Sequence, residues 1–233
     1  MTKPKRSLPA RFFRFIFKWL FYFIIGSIAL TAVYAVVPVP TTLTMLFDPN
    51  GAKRDWTSLP NLSPNLVRAV IAAEDGKFCS HDGFDREAIE KALERNKRGG
   101  KMRGGSTISQ QTAKNVFLWQ GSGWTRYLRK VPEVYFTFLI ENIWGKRRIM
   151  EVYLNVAETG IGTYGTEEGA KRYFQKSAKN LSRVEAARLA AILPLPKKRA
   201  VNGAGGFTRR YGNSISARIR VVQRDGLDAC IYK

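Results

Sequence analysis

The chain has 233 residues, with 39 Lys+Arg against 18 Asp+Glu and a single His, a formal charge of +21. Apolar residues make up 45% and charged residues 24%, which excludes a disordered tail or a collagen-like repeat. One histidine and two distant cysteines, Cys79 and Cys230, exclude a Cys/His zinc site and a disulfide framework. So large a positive charge implies an anionic partner: nucleic acid, an anionic membrane surface or a phosphorylated substrate.

Residues 1–18 carry Lys3, Lys5, Arg6, Arg11, Arg14 and Lys18, and no acid precedes Asp48. Residues 19–37, WLFYFIIGSIALTAVYAVV, contain no charge. At about 1.5 Å per residue such a helix nearly spans a hydrocarbon core of roughly 30 Å. The bias of basic residues predicts a basic tail at 1–18 in the cytoplasm, a transmembrane anchor at 19–37 and export of the rest. A cleaved signal peptide, with Val33-Tyr34-Ala35 as its cleavage site, is the alternative. The apolar run exceeds the roughly 7–15 residues of a signal core, which favours the anchor. Without the six N-terminal charges, 33 basic residues still face 18 acids, a balance of +15. Outside the cytoplasm the anions at hand are lipid headgroups and lipid-linked phosphates, not nucleic acid. In an oxidising compartment Cys79 and Cys230 could pair; the sequence leaves their separation open.

Residues 38–62, rich in Pro, Thr, Asn and Asp, read as a linker with one short strand, and 63–233 as one mainly helical domain. Ser63-Pro64 supplies an N-cap and an N1 proline to a helix whose apolar face, Leu66, Val67, Val70 and Ile71, runs into Glu74. Asp85 caps a second helix, DREAIEKALERNKR, which stops at Gly99-Gly100. A glycine-rich basic loop carrying Lys101 and Arg103 predicts mobility and anion contact. Thr107 and Gln110 form a capping box for a third helix. A long helix at about 127–144 contains Pro132, and another covers about 146–157. A turn-rich segment with four glycines, GIGTYG and Gly169, follows. Ser182 caps RVEAARLAAIL, which Pro194 and Pro196 end. One more helix is expected near 214–224.

Four clusters can carry chemistry. Glu74-Asp75 sits at a helix C-terminus, facing the negative end of the macrodipole. That placement suits a carboxylate of raised proton affinity acting as a base, or a merely solvated helix end. His81 reads as a hydrogen-bonded loop or core residue. Thr107, Gln111 and Lys114, at i, i+4 and i+7, form one polar stripe, either a phosphate or sugar contact or an ordinary solvent face. Arg129 and Glu133 lie one turn apart, with Lys130 beside them, and Pro132 either kinks this helix or starts a new one. Glu151 and Asn155, one turn apart among Ile149, Val152 and Tyr153, read as packing residues. Gly160, Gly162 and Gly165 fit G-x-G-x-x-G but follow a helix where a dinucleotide site needs a strand. No phosphate-binding P-loop and no penicillin-binding transpeptidase motif is present.

The motifs EDGKFCSHDGFD (74–85), RGGSTISQQTAKN (103–115), RKVPE (129–133), KRRIMEVYLN (146–155) and EAARLAAILPLP (185–196) resemble those of the monofunctional, membrane-anchored peptidoglycan glycosyltransferases of glycosyltransferase family fifty-one. The resemblance covers about 120 residues, in order. It implies a mainly α, lysozyme-like two-lobed domain behind one N-terminal transmembrane helix, with the catalytic domain on the periplasmic side of the inner membrane. The implied reaction polymerises glycan chains from lipid II by inverting transfer, releasing polyprenyl pyrophosphate. Its partners are lipid II, the growing lipid-linked glycan, the membrane and other cell-wall synthases.

Carried onto this chain, the resemblance makes Glu74 the general base. Lys114 and Arg129 become the cations on the donor pyrophosphate. Asp75, Thr107, Gln111 and Lys130 become supporting substrate contacts. Glu133 is a second essential carboxylate, which either orients the basic groups or holds a divalent cation (Mg or Mn). The loop 97–103 becomes the flexible segment over the donor site. A lysozyme-like glycan-cleaving enzyme and a non-enzymatic membrane-tethered assembly protein are the alternatives. The first would need a protonated carboxyl in an apolar pocket and no Lys114 or Arg129.

Overall fold

A run of uncharged side chains offers no polar face to water, and in the computed structural model residues 19–36 lie within one helix, α1 (Leu8–Val36). Its stretch Arg11–Val36, 26 residues with a mean hydropathy of 2.0, is long and apolar enough to cross a bilayer. The structure describes residues 8–99, 105–121, 123–203 and 205–232. It divides into two units, Met1–Val37 and Pro38–Lys233.

In the second unit, α2 (Leu43–Leu46) starts where the Thr42 hydroxyl accepts from the Met45 N–H. Strand β1 (Lys53–Arg54) follows, then α3 (Pro64–Glu74) and α4 (Arg86–Lys97). Next come α5 (Ile108–Phe117), α6 (Thr125–Leu128), α7 (Lys130–Ile143) and α8 (Gly145–Val156). A hairpin of β2 (Glu158–Gly160) and β3 (Thr163–Tyr164) leads to α9 (Thr166–Phe174), α10 (Arg183–Ile192), α11 (Gly206–Arg224) and α12 (Ala229–Tyr232). The three strands lie in the order β1-β3-β2, with β1 parallel and β2 antiparallel to β3.

Two helix groups build the core. α3 packs against α10 and α11, burying Leu66, Val67, Val70, Ile71, Leu189 and Ile215. α5 packs against α7 and α8, burying Ile108, Ala113, Val116, Ile140, Ile149 and Val152. This apolar burial, at about 25 cal/mol per Å², is what orders the elements. The mainly helical domain expected from the sequence is the one observed.

Local signals placed several elements correctly. The capping boxes Thr107/Gln110 and Ser182/Glu185 are both formed, and Asp85 accepts from the Ala88 N–H at 2.9 Å. The stretch expected as one helix at about 127–144 is two, α6 ending at Leu128 and α7 starting at Lys130. Pro132 lies in the first turn of α7 without kinking it. It is the third helical residue, where its missing N–H would have had no intrahelical partner, and the Glu133 N–H still reaches the Arg129 carbonyl at 3.0 Å.

Other expectations need correction. Residues 38–62 are no free linker. The Asn155 side chain brackets the Thr57 backbone, accepting from its N–H and donating to its carbonyl, each at 2.8 Å, and Glu151 accepts from the Leu59 N–H at 2.8 Å. Glu151 and Asn155 therefore do the packing work expected of them, but on residues the sequence places outside the domain. Ser63 stands at the N-cap of α3, yet its hydroxyl donates to the Leu181 carbonyl at 3.1 Å instead of capping. The glycine-rich stretch 160–169 contains a strand pair and the start of α9. Gly169 lies inside α9, and it is glycine because a Cβ there would lie 2.9 Å from Thr159 Oγ1. The C-terminal helix begins at Gly206, earlier than expected. Cys79 and Cys230 are joined in a disulfide.

Candidate active site

Glu74 ends α3, where the chain leaves one helix group and faces the other. Its Oε2 accepts a hydrogen bond from Gln111 Nε2 on α5 at 2.9 Å, and Gln111 Oε1 faces the Tyr153 hydroxyl of α8 at 3.4 Å. Glu74 Oε1 is buried and has no hydrogen-bond partner. Burial raises the proton affinity of Glu74 above the ordinary carboxylate value. The Gln111 bond, Arg199 and Lys114 oppose that rise, and Asp75 adds to it. A cavity of about 170 Å³ opens at this carboxylate, lined by Glu74, Asp75, Lys77, Gly105, Ser106 and Thr107 among others.

Asp75 and Thr107 act as braces. Asp75 Oδ2 accepts from the Ile108 N–H at 3.0 Å, fixing the start of α5 beside the end of α3. Its carboxylate also takes His81 Nε2 at 3.0 Å, while His81 Nδ1 accepts from the Gly83 N–H at 3.1 Å. His81 is thus the hydrogen-bonded loop residue expected. The Thr107 hydroxyl donates to the Gly83 carbonyl at 2.7 Å and accepts from the Gln110 N–H at 3.1 Å. Both Asp75 and Thr107 are buried. They hold the cavity wall that they also line, and Gln111 and Lys114 continue the polar stripe along α5.

The cations gather on α5 and at the start of α7. Burial, then Arg129, pushes the Lys114 ammonium below the ordinary lysine value; Glu133 and Glu74 pull it back up and Lys130 pushes it down. Lys114 therefore feels both carboxylates and both neighbouring cations, so these side chains form one electrostatic cluster. Arg129 is buried, donates through Nη1 to the Trp119 carbonyl at 2.9 Å, and holds Nε 3.8 Å from Glu133 Oε2. That Nε has no hydrogen-bond partner. Lys130 Nζ donates to Glu133 Oε1 at 2.5 Å and lies 3.4 Å from Ser106 Oγ. The structure thus brings Glu74, Gln111, Lys114, Arg129, Lys130 and Glu133 together. Lys101 and Arg103, with most of the loop 97–103, lie outside the described residues.

Glu133 was a candidate for holding a divalent cation. Its two oxygens face Lys130 and Arg129, and among the described residues no group of three His, Cys, Asp or Glu side chains could hold a metal ion. In this arrangement one carboxylate orients two cations.

Two residues near Glu74 carried no readable signal. Arg199 lies in the connection between α10 and α11, and Tyr211 on α11 donates from its hydroxyl to the Ala73 carbonyl at 2.8 Å. Only the packing of α11 on α3 brings them to Glu74.

The chain can be set beside known proteins. The profile of the family described as Transglycosylase matches residues 41–220. A protein of Caulobacter vibrioides named biosynthetic peptidoglycan transglycosylase is 48% identical over 209 residues, covering 88% of this chain and 90% of the relative. Relatives of the same name from Rhodospirillum centenum and Pseudomonas aeruginosa are 47% and 46% identical, over 88% and 85% of this chain and 89% and 88% of theirs. The match begins inside the presumed linker, takes in Thr57 and Leu59, which α8 ties down, and extends through Glu74, the cation cluster and α10. With the site and the length of the match in agreement, the chain belongs to the transglycosylase family and has its lysozyme-like helical fold and peptidoglycan glycosyltransferase activity.

Proposed function

We propose that this protein lengthens peptidoglycan glycan strands from lipid II, with Glu74 as general base and Lys114 and Arg129 receiving the departing diphosphate. One observation carries this reading. Two site atoms, Glu74 Oε1 and Arg129 Nε, are buried without hydrogen-bond partners, one an acceptor and the other a charged donor. The first can accept from a hydroxyl in the cavity, and the second, 3.8 Å from Glu133 Oε2, belongs to a guanidinium that can take an anion. An acceptor sugar and a glycosyl diphosphate supply these.

In the reaction, Glu74 takes the proton of the acceptor's 4-hydroxyl as that oxygen attacks the donor's anomeric carbon. The bond between that carbon and the diphosphate oxygen breaks with inversion, from α to β. The diphosphate leaves as an anion and needs cations, not an acid. Lys114, made costly by burial, gains most when that anion arrives. Glu133 and Lys130 hold the Arg129 end of the cluster, and Gln111 aims the Glu74 carboxylate.

The membrane fits the same chemistry. Trp124, Tyr127, Leu128, Val131, Val134 and Phe138 form an exposed apolar run on α6 and α7, the helices that bring Arg129 and Lys130. Apolar and basic groups so interleaved suit a surface beside anionic headgroups. The basic residues before α1 favour an N-terminus in the cytoplasm and the catalytic unit outside.

The test is product analysis with purified lipid II and the full-length protein in detergent. The expected products are a β-linked polymer and polyprenyl diphosphate in step with each bond formed. Cleavage of added glycan polymer without lipid II consumption would instead support the glycan-cleaving alternative.

A further inference from the structure

Arg199 has no part in the reaction as described, yet it is more firmly held than a surface arginine. Its Nη1 donates to the Ala191 carbonyl at 2.6 Å, at the end of α10. Its guanidinium carbon lies 5.1 Å from the Phe207 ring centroid and 5.6 Å from that of Tyr211. Those two rings, one turn apart on α11, stack with centroids 5.6 Å apart and planes 19° apart. Tyr211 in turn donates to the carbonyl of Ala73, the residue immediately before Glu74.

A guanidinium laid on two aromatic faces is a fixed positive charge with few rotamers, which a lysine would not provide. We propose that Arg199, clamped by Phe207, Tyr211 and the Ala191 carbonyl, is a positioning residue for Glu74. It holds a permanent cation beside the base throughout turnover.

The need for such a cation follows from the other charges around Glu74. On its own element stands Asp75, which disfavours the ionised form; α5 presents Gln111 and Lys114, α8 presents Tyr153, and α11 presents Tyr211. Lys114 and Arg199 are the two cations that favour the carboxylate, and Arg199 is held there by the Tyr211 ring, whose hydroxyl is bonded to the Ala73 carbonyl. When the donor binds, its diphosphate neutralises Lys114 in the proposed mechanism. Arg199 then remains to keep Glu74 ionised in a buried site, where a lone carboxyl would be protonated and useless as a base. This inference rests on Glu74 being the base.

The experiment is the pH dependence of lipid II polymerisation by full-length wild type, Glu74→Gln, Arg199→Met, Arg199→Lys and Phe207→Leu. Loss of the acidic limb in the residual rate of Glu74→Gln assigns that limb to Glu74. Arg199→Met should then move the limb to higher pH, with about a tenfold loss of kcat below it, recovery above it and KM within about twofold. Arg199→Lys should fall between. Phe207→Leu, which loosens the clamp but keeps the charge, should move the limb in the same direction by less. It serves if methionine at 199 prevents folding. An unmoved limb, or a loss uniform across pH, overturns the role of Arg199 alone. A limb that persists in Glu74→Gln overturns the base assignment itself.

Discussion

Replacing both cysteines by serine tests how the C-terminus is held to the loop that follows Glu74. The Cys79–Cys230 bond closes a loop with a sequence separation of 151. Freeing a loop of that length adds conformational entropy to the unfolded chain worth about 5 kcal/mol at 25 °C, a ceiling; measured losses run at about 2–5 kcal/mol. Other ties survive the substitution. Arg68 Nε pairs with Asp228 Oδ2 at 2.7 Å with both side chains largely buried, Arg147 donates to the Ile231 carbonyl at 2.7 Å, and Ile231 is itself buried. The fold should therefore persist, less stable by about 3 kcal/mol. For a unit of this size that lowers Tm by about 6–12 °C. Thermal and urea unfolding of the detergent-solubilised protein, with and without reductant, measures it. Reductant should bring wild type down to the double variant and leave the variant unmoved. A variant within about 0.5 kcal/mol of oxidised wild type would refute the reasoning.

Two further outcomes follow from the same contacts. Asn155→Ala strands the Thr57 N–H and carbonyl and releases residues 55–59 from α8; urea unfolding should show a loss of about 2–3 kcal/mol. Glu74→Gln should make the protein more stable at neutral pH while silencing it. The folded-state pKa of Glu74 lies above its unfolded value, so the native state binds the extra proton between the two. The cost of Glu74 is absent below the unfolded pKa of about 4.3 and complete above the raised value. The stability advantage of glutamine, read as a Tm difference against pH, should vanish as pH falls through that window. An advantage that grows at acid pH would reverse the sign assigned to burial.

What the sequence showed depended on how local the cause was. Thr107/Gln110 and Ser182/Glu185 announce their helices because both partners lie within one turn. The apolar face Leu66, Val67, Val70 and Ile71 likewise predicted what α3 buries and where Glu74 would stand. α9 was hidden because Gly169 reads as a turn residue, whereas the glycine is there to let Thr159 approach the helix. The segment 38–62 looked like a linker because its ties, Thr57 to Asn155 and Leu59 to Glu151, join residues far apart in the chain. In the site, Glu74, Lys114, Arg129 and Glu133 were legible from their motifs. Thr107 lines the cavity, but its bond to Gly83 cannot be seen from helical spacing. Arg199 was invisible, since its aromatic clamp exists only once α11 lies across α3.

The most direct measurement is the rate of polymer formation from lipid II by wild type and Glu74→Gln, alongside the affinity of each for lipid II. If Glu74 strips the proton from the attacking hydroxyl, the substitution should cost about 10²–10⁴-fold in rate and leave binding nearly unchanged. A Glu74→Gln protein that polymerises lipid II within a few-fold of the wild-type rate would contradict the account.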